Sequence, residues 1–166
     1  MPKFSWGALT RRQKQGTGAV GAAAVAIAIG VIAPWEGLRT TAYQDIVGVW
    51  TVCYGETKGV RPGDSYTPEE CRSMLAREVA EYEANLRARC LAYPMPDGVR
   101  AAVVSLAYNV GVGAVCSGSI PKLAAAGDLR AVCDALLRYN RAGGKVVRGL
   151  TNRRLAERQV CLAALP

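Results

Sequence analysis

Two carboxylic acids and one hydroxyl group lie close together in the chain, directly after an apolar N-terminal stretch. Eight residues separate Glu36 from Asp45, and five separate Asp45 from Thr51. Hydrolysis of a glycosidic bond needs one acid that protonates the leaving oxygen and a second carboxylate that positions or deprotonates water. Brought together by a hairpin, these three residues would be equipped for that acid–base chemistry.

Each of the three residues also has an ordinary structural explanation. Glu36 is typical of a solvated carboxylate in a first helical turn, and Asp45 of a turn residue that bonds its own backbone. Thr51 is a common strand residue. The chemical interpretation therefore depends on the joint spacing and on the flanking residues, which read Glu-Gly-Leu-Arg, Tyr-x-Asp and Trp-Thr-Val-x-Tyr-Gly.

The composition excludes several classes of enzyme. The chain of 166 residues contains no histidine. Ser-His-Asp catalysis, Cys-His catalysis and the common histidine-based zinc sites are therefore excluded. We expect no metal and no other cofactor, and a carboxylate enzyme remains compatible with the composition.

The charge balance favours an anionic partner. The net charge is +8, and four of the 21 basic residues precede the apolar stretch without any acidic residue among them. A basic protein suits an anionic polymer such as peptidoglycan, or a membrane surface. We expect no nucleic acid partner, because the sequence has neither a base-stacking aromatic cluster nor a DNA-reading motif.

Six dispersed cysteines, none in a Cys-x-x-Cys pair, indicate disulfides formed in an oxidising compartment. Reduced, buried thiols would be expected only if the protein stayed in the cytoplasm. Six cysteines allow 15 pairings, so the sequence does not determine the connectivity. Our hypothesis is three bridges that each close a loop of moderate length: Cys53–Cys71, Cys90–Cys116 and Cys133–Cys161.

An uncharged segment over residues 16–33 has the properties of a weak membrane anchor. As a helix its 18 residues would span about 27 Å, slightly less than the ~30 Å hydrocarbon core of a bilayer. Glycine and alanine dominate it, so insertion is marginal. The basic residues within 1–15 predict a cytoplasmic N-terminus and an exported body.

Three interpretations of this segment remain open. It is a permanent single-pass anchor, a cleaved secretory signal, or an anchor that later leaves the bilayer. Cleavage has candidate sites at Ala24-Val25-Ala26 and Ala26-Ile27-Ala28. We favour the third interpretation, because the segment is long enough to insert but poorly held.

The remainder of the chain predicts a mostly helical α+β protein. We expect a short helical start over residues 35–40 and a β-hairpin region over residues 43–63. Thr67-Pro68-Glu69-Glu70 predicts a helix start, and the helical pattern continues to about Cys90. Another helix is predicted from Asp97 to Tyr108.

The C-terminal part carries further start and stop signals of helices. Three residues have the position and chemistry of helix N-caps, namely Ser119, Asp128 and Thr151. Gly127 and Gly143-Gly144 are predicted as the corresponding helix ends.

Taken together, these motifs resemble the phage-type lysozymes, the endolysins of glycoside hydrolase family 24. The likeness covers about 130 residues, continues in Ser105-Leu106-Ala107-Tyr108-Asn109-Val110-Gly111, and ends in Gly149-Leu150-Thr151-Asn152-Arg153-Arg154. It implies a bilobed fold with a small hairpin lobe, a long connecting helix and a helical C-terminal lobe. The Gly/Ala-rich segment resembles the signal-anchor-release segments of certain endolysins. The implied domains are therefore a cytoplasmic N-terminus (1–15), the anchor (16–33) and a catalytic domain (34–166).

The resemblance also implies roles for individual residues. Glu36 would be the general acid, Asp45 and Thr51 would hold the attacking water, and the configuration at the sugar carbon would invert. Arg153 would lie near the acid, and Asn109 would line the cleft. Many relatives carry Gly-His-Thr where this chain has Gly55-Glu56-Thr57, so a third carboxylate near the hairpin is expected to perturb local pKa values.

The resulting hypothesis is a monomeric muramidase that acts on peptidoglycan during host-cell lysis. It would be tethered to the inner membrane in an inactive form, with its N-terminus inside, and released to the periplasm when a holin depolarises the membrane. The alternative is a membrane-anchored peptidoglycan-binding protein without catalysis. A holin-like pore is disfavoured, because it needs more than one marginal segment.

Overall fold

The computed structural model describes residues 11–166, with side-chain positions from residue 21 onward. Most of the predicted cytoplasmic N-terminus, residues 1–15, therefore lies outside the described residues. In chain order the elements are α1 (Arg11–Glu36), β1 (Arg39–Gln44), β2 (Trp50–Cys53), α2 (Pro68–Arg89), α3 (Asp97–Val110), α4 (Val112–Ser117), α5 (Ile120–Ala125), α6 (Leu129–Ala135), a 3₁₀ turn (Leu136–Arg138), β3 (Arg141–Ala142), β4 (Lys145–Val146) and α7 (Arg148–Ala163).

Helix α1 carries most of the predicted anchor segment into the protein core. Ala24, Ala28 and Ile32 are fully buried, and their spacing of four residues places them on one face of the helix. That face packs against α3 and α2. The small alanines allow a close approach of the helices, so the segment that suits a membrane also suits this core.

The predicted boundary at residue 34 does not interrupt α1. The helix continues through Pro34. Because proline has no N–H, the carbonyl of Gly30 lacks its usual helical hydrogen bond, and Gly30 is an exposed residue. Among the residues with described side chains, none belongs to a helix that is both long and apolar enough to cross a bilayer. The first residues of the predicted anchor lie outside that set.

The predicted helical start over residues 35–40 is wrong. Helix α1 ends at Glu36, and Gly37 takes a positive φ of 72° while its N–H bonds to the carbonyl of Ala33. Glycine adopts this left-handed conformation without a Cβ clash and so terminates helices. The chain then turns directly into β1 at Arg39.

The predicted hairpin is present and forms a small lobe. Strands β1 and β2 pair antiparallel, with Tyr43 opposite Thr51. The lobe has its own small core, in which Val52 and Cys53 of β2 pack with Cys71 of α2. A positive φ of 82° at Gly48 fits the short hairpin loop that joins the strands.

Helix α2 begins as the sequence predicted and connects the two lobes. The hydroxyl of Thr67 accepts a hydrogen bond from the Glu70 N–H, and the Glu70 carboxylate accepts one from the Thr67 N–H. Pro68 occupies the first helical position, where its missing N–H is harmless. This reciprocal cap fixes the point at which the hairpin lobe passes into α2.

Helix α3 is the centre of the helical lobe. Every residue from 98 to 107 is buried, because α1, α2, α4, α6 and α7 all pack around this helix. A helix that is surrounded in this way has no solvent-exposed stripe. The observed architecture confirms the predicted fold of a hairpin lobe, a connecting helix and a helical lobe.

The predicted caps of the C-terminal helices are only partly correct. Asp128 caps α6 by accepting a bond from the Ala131 N–H, whereas Ser119 precedes α5 without a side-chain cap. Thr151 is not a cap, because α7 already begins at Arg148 and the Thr151 hydroxyl bonds the Val147 carbonyl. Gly143-Gly144 is the turn between β3 and β4 rather than a helix end.

Three disulfides cross-link the described chain: Cys53–Cys71, Cys90–Cys116 and Cys133–Cys161. These are the pairs of our sequence hypothesis. The first joins the hairpin to α2, the second joins the end of α2 to α4, and the third joins α6 to α7. Together they tie the elements around α1 without involving α1 itself.

The buried face of α1 leads to a prediction about stability. Ala28→Leu adds three carbons to a filled core and should lower the free energy of unfolding by about 1–3 kcal/mol. Ala26→Leu adds the same carbons at an exposed position and should change it by less than about 0.5 kcal/mol. Denaturant unfolding of the soluble, oxidised proteins measures both, and equal effects would contradict the described packing of α1.

Candidate active site

The carboxyl group of Glu36 is held where α1 meets α7. Glu36 follows Ile32 by four residues and so continues the buried face of the helix. The Nη1 of Arg153, on α7, donates a hydrogen bond of 2.8 Å to the Oε1 of Glu36. The Arg153 side chain is 6% exposed and that of Glu36 is 24% exposed. The pair thus places a partly accessible carboxyl beside a buried guanidinium.

Asp45 and Thr51 lie on the hairpin that follows Glu36. The Asp45 N–H bonds the Val49 carbonyl, so these two residues pair across the hairpin. Thr51 lies two residues beyond Val49, and side chains two apart in a strand share a face. Asp45 and Thr51 are therefore diagonal neighbours on one face, for which Cα separations of about 7–8 Å are typical.

The backbone of the hairpin turn orients the Asp45 carboxylate. Its Oδ1 accepts hydrogen bonds from the N–H groups of Val47 and Val49, at 2.9 and 2.8 Å. Both bonds go to Oδ1, so Oδ2 remains able to accept a hydrogen bond from another group. The buried Thr51 hydroxyl donates to the Val49 carbonyl at 3.1 Å, and its oxygen remains able to accept a bond.

The structure links the acid and the hairpin through a short connection. Only Gly37 and Leu38 separate the end of α1 from β1. Asn109, the other predicted cleft residue, is exposed on the last turn of α3. Glu36 and Arg153 are therefore in direct contact. Asp45 and Thr51 are neighbours through the register of the hairpin. Asn109 belongs to the helical lobe.

Behind Arg153 lies a buried cluster of charged groups that the sequence analysis did not identify. The Oε1 of Glu157 accepts bonds from Ser105 Oγ at 2.7 Å, from Arg154 Nη2 at 2.8 Å and from Arg153 Nε at 3.3 Å. Glu157 and Arg154 are fully buried. Burial raises the pKa of Glu157 and lowers the pKa of Arg154, although each group favours the charged form of the other.

A second carboxyl group, Glu78 of α2, lies within the electrostatic range of Glu36. Its Oε2 accepts a hydrogen bond of 3.0 Å from the Tyr108 hydroxyl. Burial raises the pKa of Glu78, and the charges of Glu56 and Glu36 raise it further, against the lowering effect of Tyr108 and Lys58. The perturbation expected from Glu56 therefore occurs at Glu78.

A pocket extends along α2 between the two lobes. Its volume is about 380 Å³, within the usual range for ligand sites. Lys58 contributes from the hairpin lobe, and residues 111–113 contribute from the helical lobe. The floor is formed by residues of α2: Glu78, Glu81, Tyr82, Asn85 and Arg89. A polar groove with an aromatic side chain is suited to an extended polar polymer.

Sequence signals existed for some of the missed residues. Glu157 follows Arg153 by four positions, the spacing at which opposite charges meet on a helix. Tyr108 stands inside the Ser105–Gly111 motif. No local signal joins Ser105 to Glu157 or Glu78 to Tyr108, because these contacts connect different helices.

The raised pKa of Glu78 leads to a prediction about pH and stability. The folded protein holds the Glu78 proton more tightly than the unfolded chain does, so ionisation of Glu78 opposes folding as the pH rises through its folded pKa. Glu78→Gln should therefore raise Tm relative to wild type at pH 8, with no gain at pH 4. Glu69→Gln, which loses only an exposed ion pair with Arg72 on the same helix, is the control and should not raise Tm at pH 8. A lower Tm for Glu78→Gln at pH 8 would contradict this assignment.

Comparison with known proteins identifies the family of this chain. A sequence model described as phage lysozyme matches residues 33–157. The chain is 38% identical over 151 residues to the SAR-endolysin of Enterobacteria phage P21, covering 87% of this chain and 91% of that protein.

Solved structures show the same fold. The active form of the P1 phage endolysin Lyz superposes with a TM-score of 0.73 at 28% identity, covering 88% of this chain and 95% of that one. The secreted inactive form of Lyz reaches a TM-score of 0.50 at 29% identity, covering 71% and 81%. Glu36, Asp45 and Thr51 lie within residues 33–157, which the phage lysozyme model matches. With this match and the identity to a SAR-endolysin, the chain belongs to the phage lysozyme family.

Proposed function

We propose that Glu36 is the general acid of this lysozyme and that Asp45 and Thr51 hold the attacking water. The protein is a glycoside hydrolase that cleaves the β-1,4 bond between N-acetylmuramic acid and N-acetylglucosamine in peptidoglycan, for lysis of the host cell. The observation that carries the assignment is the placement of Glu36. Its carboxyl bonds Arg153, and only Gly37 and Leu38 separate Glu36 from the hairpin that carries Asp45 and Thr51.

The hydrogen bonds suggest which atoms take part. Arg153 engages Oε1 of Glu36, so Oε2 is the atom that carries the proton to the leaving oxygen. As the bond between the sugar carbon and that oxygen breaks, a water molecule forms the new bond from the opposite face of the ring. Oδ2 of Asp45 accepts the proton of that water, and the Thr51 oxygen accepts its second hydrogen bond.

The pocket on α2 is not lined by Glu36, Asp45 or Thr51, and we assign it to the part of the polymer beyond the cleaved bond. Because both lobes line it, a glycan strand lying in the pocket would pass between them. Pure binding has no need of a carboxyl fixed at the end of a helix by a buried arginine. The arrangement therefore favours catalysis over the alternative of a binding protein.

The acid assignment predicts a large loss of activity from one substitution. Glu36→Gln keeps the size of the side chain but removes the proton donor, and loss of a general acid typically reduces the rate by about 10²–10⁴-fold. Clearing of outer-membrane-permeabilised Gram-negative cells, with the oxidised protein, measures the effect. Glu56→Gln, a carboxylate of the same lobe that bonds its own loop, is the control. Equal clearing by Glu36→Gln and wild type would contradict the assignment.

We further propose that membrane tethering and the active fold exclude each other. Ala24, Ala28 and Ile32 cannot face lipid and pack against α3 at the same time, and Glu36 ends the same helix. Tethering would therefore withhold the acid from its contact with Arg153. The TM-score is higher with the active form of the P1 endolysin Lyz than with its secreted inactive form. This difference supports assigning the described conformation to the released state.

Release would depend on the membrane potential. The four basic residues before the segment must cross the bilayer, and an inside-negative potential opposes each charge by roughly 2.3 kcal/mol per 100 mV. Depolarisation by a holin removes this restraint. The protein would then pass from the inner membrane, with its N-terminus inside, to the periplasm.

The exposed face of α1 allows a matched test of release. Leucine at Ala22, Ala23 and Ala26 strengthens the membrane anchor, while these positions are exposed in the folded protein. The triple leucine variant should remain in the membrane fraction after depolarisation and delay lysis; serine at the same three positions is the control. Unchanged fractionation and lysis timing for the leucine variant would contradict the release proposal.

A further inference from the structure

We propose that Tyr108, Glu78 and Tyr54 form an interlobe clamp, in which a proton on Glu78 controls whether the hairpin lobe is held to α3. The three groups come from three parts of the fold. Tyr108 belongs to α3, Glu78 to α2 and Tyr54 to the turn after β2. The clamp goes beyond the hydrolysis proposed above and does not require Glu36 to be the general acid.

The Tyr108 hydroxyl lies between two hydrogen-bond acceptors. Its oxygen is 3.0 Å from the Oε2 of Glu78 and 3.3 Å from the carbonyl oxygen of Tyr54. A hydroxyl carries one proton to donate, although its oxygen can also accept. Burial raises the pKa of Tyr108, so this proton stays on the hydroxyl while Glu78 titrates. The acceptor that receives the proton therefore depends on the state of Glu78.

The two states of Glu78 direct the Tyr108 proton to different partners. An ionised Glu78 can only accept, and a charged acceptor forms a stronger bond than a carbonyl does. The Tyr108 proton then goes to Glu78, and the Tyr54 carbonyl loses this donor. A protonated Glu78 instead donates its own O–H to the Tyr108 oxygen, which leaves the Tyr108 proton for Tyr54. Only the protonated state forms a continuous chain of donors from α2 through α3 to the hairpin lobe.

Tyr54 connects the two lobes. Its side chain is partly buried and packs against both the core of the helical lobe and the small core of the hairpin lobe. The backbone around it forms a tight turn, in which Val52 and Glu56 exchange hydrogen bonds of 2.9 and 3.0 Å. Thr51 precedes Tyr54 by three residues. A bond to the Tyr54 carbonyl therefore restrains the strand that carries Thr51.

The surroundings of Glu78 favour its protonated state. Burial raises the pKa of Glu78, and the negative charges of Glu56 in the hairpin lobe and Glu36 at the end of α1 raise it further. The bond from Tyr108 and the positive charge of Lys58 act in the opposite direction. Helix α4, which also packs against α2, carries no charged side chain. On α2 itself, the titratable side chains that line the same pocket are Glu81, Tyr82 and Arg89.

A second polar contact between the lobes is weaker. The Nζ of Lys58 lies 3.6 Å from the Oε2 of Glu81, and the two side chains are 75% and 64% exposed. Ion pairs that are exposed to this extent contribute little to stability. The partly buried clamp is therefore the contact through which a change of pH acts on the hold between the lobes.

The test is nuclear magnetic resonance of the full-length, oxidised, ¹³C-labelled protein between about pH 4 and pH 8. The carbonyl carbon of Tyr54 reports whether its oxygen accepts a hydrogen bond, and the carboxyl carbon of Glu78 reports ionisation. We expect both signals to titrate with the same midpoint. A Tyr54 signal that stays constant while Glu78 titrates would overturn the proposal.

One substitution separates the hydroxyl bond from a direct effect of the Glu78 charge. Tyr108→Phe removes the hydroxyl and keeps the ring, so Glu78 should still titrate while the Tyr54 signal no longer follows it. A Tyr54 titration that persists in Tyr108→Phe would show a direct charge effect and overturn the clamp. Glu69→Gln, at an exposed position of α2, is the control, and its Tyr54 signal should titrate as in the wild type.

Amide hydrogen exchange measures the hold itself, because it reports local opening. After correction for the intrinsic effect of pH, protection of the Val52 and Glu56 amides should fall by about 2- to 12-fold as Glu78 ionises, as for one lost hydrogen bond. In Glu78→Gln the side-chain amide donates to Tyr108 as the protonated acid does, so protection should not depend on pH. Should Tyr108→Phe not fold, this comparison carries the test. An equal loss of protection in the wild type and Glu78→Gln would contradict the clamp.

Discussion

The packing of one face of α1 against α3 determines where the acid is placed. Ala24, Ala28 and Ile32 fill that face, and Glu36 continues it by one more turn until Gly37 ends the helix. The position of Glu36 is therefore set by apolar contacts well before it in the chain. Because the disulfides do not include α1, the hydrophobic effect and the ion pair with Arg153 hold the acid in place. Whatever withdraws α1 from the core also withdraws the acid.

The second constraint is the buried charge behind the site. Glu157 pairs with both buried guanidiniums, Arg153 also pairs with Glu36, and Ser105 donates a further hydrogen bond to Glu157. Removing one partner of such a group is far more destabilising than removing the pair. Arg153 of this cluster also bonds Glu36, so the packing of the helical lobe and the position of the acid have a shared physical origin. The hairpin contributes separately, by using its turn to orient Asp45.

The sequence predicted most of what depends on local chemistry. The capping box at Thr67 and Glu70 is a contact within one turn, and the hairpin follows from its β-branched residues and glycines. The spacing of Glu36, Asp45 and Thr51 pointed to three candidates, of which the hairpin register places Asp45 and Thr51 on one face. The helical start at 35–40 was wrong because the helix arrives from the preceding segment and ends at Glu36, where Gly37 takes a left-handed conformation. The composition of residues 21–33 did not predict that they pack in the protein core, because alanine and isoleucine suit lipid and a packed helix interface equally well. Glu78 and Glu157 were missed because their partners lie on other helices.

The most direct measurement compares two shortened proteins, residues 21–166 and residues 34–166, for hydrolysis of peptidoglycan after oxidative folding. Both retain Glu36, Asp45, Thr51 and all six cysteines, and they differ only in the part of α1 that packs against α3. The account predicts that residues 21–166 hydrolyse peptidoglycan in a manner that requires Glu36, and that residues 34–166 do not. Equal, Glu36-dependent activity of both proteins would contradict it, because the acid would then be positioned without the helix that carries it.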